Sequence, residues 1–269
     1  MNDGGIRKPG KWQDLWVRAG SGLALALAGL VLIWLGDWWF SALVLVGVGV
    51  MAWELAAMTA PRPAAAQAVL IGLAAAASLG FALWMHRPLW LGLMVLPAVA
   101  GLVTPRRDRW VYAVYTMAIM FTGYGLVAFR DGFGRNFVLW LVLLVAFADM
   151  MGYFGGRLIG GPKFWPRVSP KKTWAGTICG WLGAALVGWA MAALAGGPAW
   201  LPWFSALVGL ASQLGDIAES AIKRRMGVKD SSQIIPGHGG ALDRFDGFAG
   251  ATVFLLLWGQ VFPMPYFEA

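Results

Sequence analysis

Acids, bases and glycines gather in four short stretches of an otherwise apolar chain. The stretch KDSSQIIPGHGGALDRFDGFAG, Lys229 to Gly250, holds Asp243 and Asp246 three residues apart, a spacing that puts both on one face of a helix. Capping predicts Asp243 as N-cap and Asp246 in the first turn, where the helix dipole favours anions. Capping needs only one acid. A second stretch, ASQLGDIAESAIKRR, lines up Gln213, Asp216, Glu219, Ser220 and Lys223 on one helical face. Glu219 and Lys223 read as a modest i,i+4 surface pair, which leaves Asp216, one turn deeper, unexplained. Asp216, Asp243 and Asp246 together make a hard, oxygen-rich site suited to Mg²⁺. Asp149, in FADMMGYFGGRLIG, is a further candidate ligand, because a carboxylate within an apolar run is costly.

The bases point to phosphate. In VSPKKTWAG, Lys171 and Lys172 precede an apolar run, with Ser169 and Thr173 as candidate caps. Hydroxyls at a helix N-terminus beside two lysines form a phosphate cradle. Around His238, Gly239 and Gly240 leave a backbone that can approach a ligand and turn N–H groups to anions, so His238 is read as a phosphate contact. Lys223, Arg224, Lys229 and Arg244 complete the basic set. Carboxylates for a divalent metal and bases for phosphates fit phosphoryl or nucleotidyl transfer, where catalysis is mostly positioning and charge neutralisation.

The elements that must position these groups are membrane helices. The chain of 269 residues is 59% hydrophobic and 13% charged. Apolar runs recur at about 19–36, 38–58, 64–84, 89–104, 110–128, 136–156, 173–195, 200–222 and 244–262. Each is read as a transmembrane helix, the fourth being short and interrupted by Pro97. The runs lack the alternation of a β-barrel. The fold class is therefore an all-α integral membrane protein of about nine spans. The basic N-terminal segment with ALALAG imitates a signal peptide, but that site falls inside the apolar run, so an uncleaved first span is expected. Cys179 is the only cysteine, which excludes an intrachain disulfide.

With the N-terminus placed in the cytoplasm, 18 of the 21 basic residues fall on that side and Arg87, Arg130 and Arg135 on the other. The net charge of +8 is thereby a topology signal, with no nucleic-acid partner implied, and the C-terminus is expected outside. The chain changes character near residue 108. Residues 1–108 form spans one to four; residues 109–269 form a catalytic part of spans five to nine and their cytoplasmic loops. Glu54, in the first part, is read as a helix-end carboxylate reaching the headgroups. The polar groups crowd one edge of the membrane, whereas a transporter centres them near the midplane.

These residues resemble the phosphatidate cytidylyltransferase (CDP-diacylglycerol synthase) family. The resemblance rests on Ser220, Ile222, Lys223, Arg224, Lys229, Asp230, Pro236, His238, Gly239, Gly240, Asp243, Arg244 and Asp246, and on the upstream SPKKTW and AD…GYFGGR segments. It covers residues 145 to 250; the first four spans match only in pattern. Ala241 replaces a larger apolar residue, Met150 a small hydroxyl residue, and Ala175 a Glu or Gln. The resemblance implies transfer of CMP from CTP to phosphatidic acid, giving CDP-diacylglycerol and pyrophosphate. It implies Mg²⁺, with or without a monovalent cation, and adds Asp230 to the substrate-binding set. It also implies a homodimer in a bacterial inner or plasma membrane, with its active site facing the cytoplasm. The alternative is a CTP-dependent polyprenol or lipid-alcohol kinase, in which a lipid hydroxyl attacks the γ-phosphate. A CDP-alcohol phosphatidyltransferase needs further aspartates after DRFDGFAG, and the next acid is Glu268.

Overall fold

The computed structural model describes residues 11–85, 88–235 and 239–268. Among the described residues eight α-helices dominate: α1 Lys11–Leu35, α2 Asp37–Thr59, α3 Ala65–Met85, α4 Leu96–Val103, α5 Arg109–Leu158, α6 Trp174–Leu194, α7 Leu201–Met226 and α8 Leu242–Trp258. Among the described residues, four of them (α2, α3, α5 and α6) are long and apolar enough to cross a membrane by length and composition. The chain is an all-α membrane protein with one small exception. The basic segment before α6 forms an antiparallel hairpin, β1 Lys163–Trp165 against β2 Ser169–Thr173. Strands this short show no alternation in sequence, and Pro162, Pro166 and Pro170 make the segment read as loop.

The fourth, fifth and sixth apolar runs take forms that their hydropathy alone does not specify. The fourth is a 3₁₀ stretch, Pro88–Val95, followed by the short α4. Pro97 sits in the first turn of α4, where its missing N–H costs nothing, so the helix starts afresh there. The fifth and sixth runs share the 50 residues of α5. At about 1.5 Å per residue a straight helix of that length would be roughly twice as long as a bilayer is thick. It folds back instead at Gly134, whose φ of 81° and ψ of −179° lie outside the helical region. The fold-back is evident beside the turn, where Phe129 of the first limb and Phe137 of the second bring their ring centroids to 5.1 Å.

One continuous hydrophobic core runs from Ile33 to Leu255, so both halves of the sequence contribute to it. Trp140 of α5 is its largest fully buried side chain, and its indole N–H donates to Ser205 of α7. The loop before α5 ties helix ends together. The Arg107 N–H donates to Thr59 O at the end of α2, and its guanidinium donates to Met226 O at the end of α7. Asp108 caps α5 through the Val111 N–H and pairs with Arg225. These contacts bring the ends of α2, α5 and α7 to the same edge of the bundle. Basic Lys223, Arg224 and Arg225 fill the last turn of α7, complementing its dipole before Gly227 ends it in the left-handed conformation.

The fold-back gives a prediction. A Cβ at Gly134 meets no atom within 4 Å, so only backbone conformation opposes a side chain there. Gly134→Ala is expected to lower stability by about 1–3 kcal/mol. Gly132, equally uncrowded but helical, serves as the control: its alanine variant is expected to be neutral or stabilising. Thermal unfolding of both variants in detergent checks the pair.

Candidate active site

Three helices and the hairpin present their polar groups at one edge. α7 carries Asp216, Glu219, Ser220 and Lys223 on successive turns, as their spacing predicts. Lys223 lies between two carboxylates, 2.6 Å from Glu219 and 2.6 Å from Asp243 of α8. The Glu219–Lys223 pair is no surface pair: Glu219 is fully buried and Lys223 nearly so. Glu219 Oε1 has no hydrogen-bond partner among the described residues, so Lys223 is the cation that answers its charge.

Asp243 is not the N-cap of α8. That position belongs to Ala241, which offers no side-chain cap, and Asp243 sits in the first turn. Its oxygens are nonetheless saturated. Besides Lys223, they accept from the Ser231 N–H and hydroxyl and from the Gly240 N–H at 2.8 Å. Asp243 precedes the apolar run of α8. Burial alone would push its carboxyl up, but Lys223 and the Gly240 and Ser231 N–H groups hold it below the ordinary carboxylate range. The glycines beside it are needed for close approach. A Cβ on Gly240 would stand 2.1 Å from Ser231 Oγ, and one on Gly239, whose φ is 82°, 2.8 Å from Asp243 Oδ2.

A second group of acids lies next to this one. Asp216 is paired with Lys172 of β2 at 2.6 Å and accepts from the Ser220 hydroxyl at 3.2 Å. Asp149 of α5, Asp216 of α7 and Asp246 of α8 are close enough for each to act electrostatically on another. Asp246 accepts from its neighbour's Gly247 N–H. α7 and α8 come this close because both are bare at the crossing: a Cβ on Gly215 would meet Asp246 O at 2.4 Å and Gly250 N at 2.7 Å.

Asp149 and Asp216 open onto a cavity of about 500 Å³. Its walls also include Arg157, Lys171, Lys172, Thr173 and Gln213. Thr173 caps α6 as its type predicts, accepting from the Gly176 N–H at 3.1 Å, so the positive end of that helix faces the cavity. Gly176 lets α6 approach α5 there, since a Cβ would stand 2.6 Å from Gly152 O. Gln213 bridges the Trp181 indole and Thr177 O, fixing the inner wall. The cavity thus joins carboxylates from α5 and α7 to bases from α5 and β2, a lining for phosphates and a cation rather than for an apolar ligand.

The remaining predicted positions are spread more widely. Ser169 lies in β2, half-buried. Arg224 is exposed and donates to Val228 O; Lys229, Asp230 and Arg244 are exposed around the same loop. His238 lies outside the described residues. Glu54 does not reach headgroups: it is fully buried and accepts from Ser231, Ser232, Ala241 and Leu242. A carboxylate in AWELAAM was a visible signal, but its partners lie 177 to 188 residues away and no local pattern points to them.

The model of the cytidylyltransferase family matches residues 16–262. A phosphatidate cytidylyltransferase of Brucella abortus biovar 1 (strain 9-941) is 44% identical over 137 residues, which cover 50% of this chain and 51% of that protein. Another, from Helicobacter pylori (strain ATCC 700392 / 26695), is 34% identical over 187 residues, 65% of this chain and 69% of the relative. One from Staphylococcus aureus (strain COL) is 39% identical over 137 residues, 49% and 53% of the two chains. The matched stretch thus spans about half the length of the Brucella and Staphylococcus relatives.

The Lys223 geometry predicts a large stability effect. Lys223→Met leaves Glu219 without its cation and Asp243 with hydrogen-bond donors alone, and is expected to cost about 3–5 kcal/mol. Adding Glu219→Gln removes one of those charges and is expected to restore part of the loss. Chemical denaturation of both variants in detergent measures it; equal stability of Lys223→Met and wild type would mean the ion pairs contribute nothing.

Proposed function

The chain belongs to the cytidylyltransferase family, and from that premise we propose that it is a phosphatidate cytidylyltransferase. It joins CTP and phosphatidic acid to give CDP-diacylglycerol and pyrophosphate. The observation that carries this reading is the cavity where Asp149 and Asp216 stand beside Arg157, Lys171 and Lys172 at one edge of an apolar bundle. A phosphate oxygen of phosphatidic acid attacks the α-phosphorus of CTP, and the bond from that phosphorus to the pyrophosphate oxygen breaks. The nucleophile is already an anion, so no side chain need remove a proton from it.

The protein's work is then to collect and hold charge. Lys171, Lys172 and Arg157 face the triphosphate, backed by the positive end of α6. Lys172 is held meanwhile by Asp216. Arg224, exposed in the last turn of α7, and Lys229, exposed on the following loop, meet phosphates from the other side. Tyr153, which lines the cavity and accepts from Arg157 at 2.8 Å, is 59% exposed on the outer face of α5, where acyl chains can remain in the bilayer. The 18-to-3 distribution of basic residues supports a cytoplasmic N-terminus, a C-terminus on the other side, and a cavity that takes CTP from the cytoplasm of a bacterial cell.

The donor set fits Mg²⁺. Asp149, Asp216 and Asp246 are hard oxygen donors from three helices whose mutual repulsion a divalent cation would relieve. Among the described residues no three acids already converge on one point, and Asp216 is turned to Lys172. Asp243 is the fourth carboxylate at this edge, with its oxygens given to Lys223, Ser231 and Gly240. When bound, the ion supplies charge neutralisation on the phosphates.

Labelled CTP tests the reading. With phosphatidic acid and purified protein, label on the α-phosphate is expected to enter lipid and label on the γ-phosphate to leave as pyrophosphate. Entry of the γ-label into lipid would identify a lipid kinase instead. Asp216→Asn, which keeps shape but removes charge, is expected to lower the rate by about a hundredfold or more while the protein stays folded and inserted.

A further inference from the structure

We infer that Glu54, an acid of the second helix far from the cavity in sequence, is a positioning residue for the active-site loop. The inference rests on the cytidylyltransferase reading for what that loop does. Glu54 lies in α2, one of the helices apolar enough to cross a membrane, and it is fully buried. Its carboxylate accepts four hydrogen bonds. Oε1 takes the Ser232 hydroxyl at 2.5 Å and the Ala241 N–H at 2.9 Å; Oε2 takes the Leu242 N–H at 2.6 Å and the Ser231 hydroxyl at 3.2 Å. The four donors come in two adjacent pairs, Ser231 with Ser232 and Ala241 with Leu242.

These residues have two jobs. The second pair begins α8, whose N-cap Ala241 offers no side-chain acceptor. The first N–H groups of a helix need acceptors, and Glu54 supplies them from another helix, with a negative charge at the positive end of α8. Ser231, with Gly240, also grips Asp243, and Asp243 in turn holds Lys223. Gly240 runs hard against the acid: a Cβ there would stand 2.4 Å from Glu54 Oε1. The order of dependence is therefore Glu54, then the loop, then Asp243 and Lys223. Lys229 and Asp230 are carried on the approach to the same loop.

Both Glu54 oxygens accept from backbone N–H groups, so a side-chain amide in its place must turn its NH₂ towards one of them. Glu54→Gln leaves a buried N–H unpaired without changing volume. The variant is expected to raise KM for CTP about tenfold and to speed amide exchange in a peptide spanning residues 239–243, while the unpaired N–H lowers the unfolding midpoint. A loss of folded molecules lowers the apparent kcat but does not move KM, which separates positioning from bulk stability. Ser232→Ala removes one of the four donors and provides the second variant should the first fold poorly; its KM is expected to rise about threefold.

KM within about twofold of wild type in the folded variants overturns the inference, with or without faster exchange. Faster exchange with unchanged KM would make Glu54 a structural clamp only. If wild-type protein transfers no label from CTP to phosphatidic acid, the functional reading fails by itself. The exchange comparison then still decides whether Glu54 holds residues 239–243: unchanged exchange there overturns that too.

Discussion

Charge inside an apolar bundle has to be answered by another charge or by hydrogen-bond donors, and the pair that the rest of this structure depends on is Lys223 with Asp243. It joins the end of α7 to the start of α8 at 2.6 Å. An unpaired carboxylate or ammonium at such a depth costs several kcal/mol. Each charge is therefore placed where distant elements can meet it. Glu219 shares Lys223, Asp216 is met by Lys172 from the hairpin, and Glu54 is met by four donors from the loop before α8. Pairing fixes which helix ends converge. The small residues at Gly215, Gly250, Gly152 and Gly176 then let the backbones close around them.

Much of this was legible in the sequence, because helix spacing and hydropathy are local. Asp216 with Ser220 and Lys223, and Asp243 with Asp246, fall on the faces that a 3.6-residue period gives them. Thr173 caps α6 because a threonine before an apolar run commonly does so. The positions of most apolar runs survive as helices for the same reason. Family membership follows the long motif between residues 145 and 250, and the family model extends over residues 16–262.

What could not be read is what depends on long-range partners. Asp243 and Glu54 exchange roles: the acid next to α8 in sequence turns back on Ser231 and Gly240, and an acid 188 residues away serves the helix start. Spacing gives no means of choosing between them. The hairpin escaped because its strands of three and five residues are too short for period two to show. The turn between the fifth and sixth apolar runs was legible as a gap in hydropathy, but its seat was not: Gly132 looks the same as Gly134 in sequence, and it is Gly134 that takes the non-helical conformation.

In the proposed reaction a triphosphate meets bases held by acids in the cavity between α5, α6 and α7. Lysine labelling reads that directly. Membranes or detergent-solubilised protein are exposed to an amine-reactive reagent with and without CTP, and modified lysines are located by mass spectrometry. Lys171 and Lys172, which line the cavity, are expected to lose reactivity progressively as CTP is added. Unchanged labelling of both lysines at saturating CTP would place the nucleotide elsewhere and contradict the account.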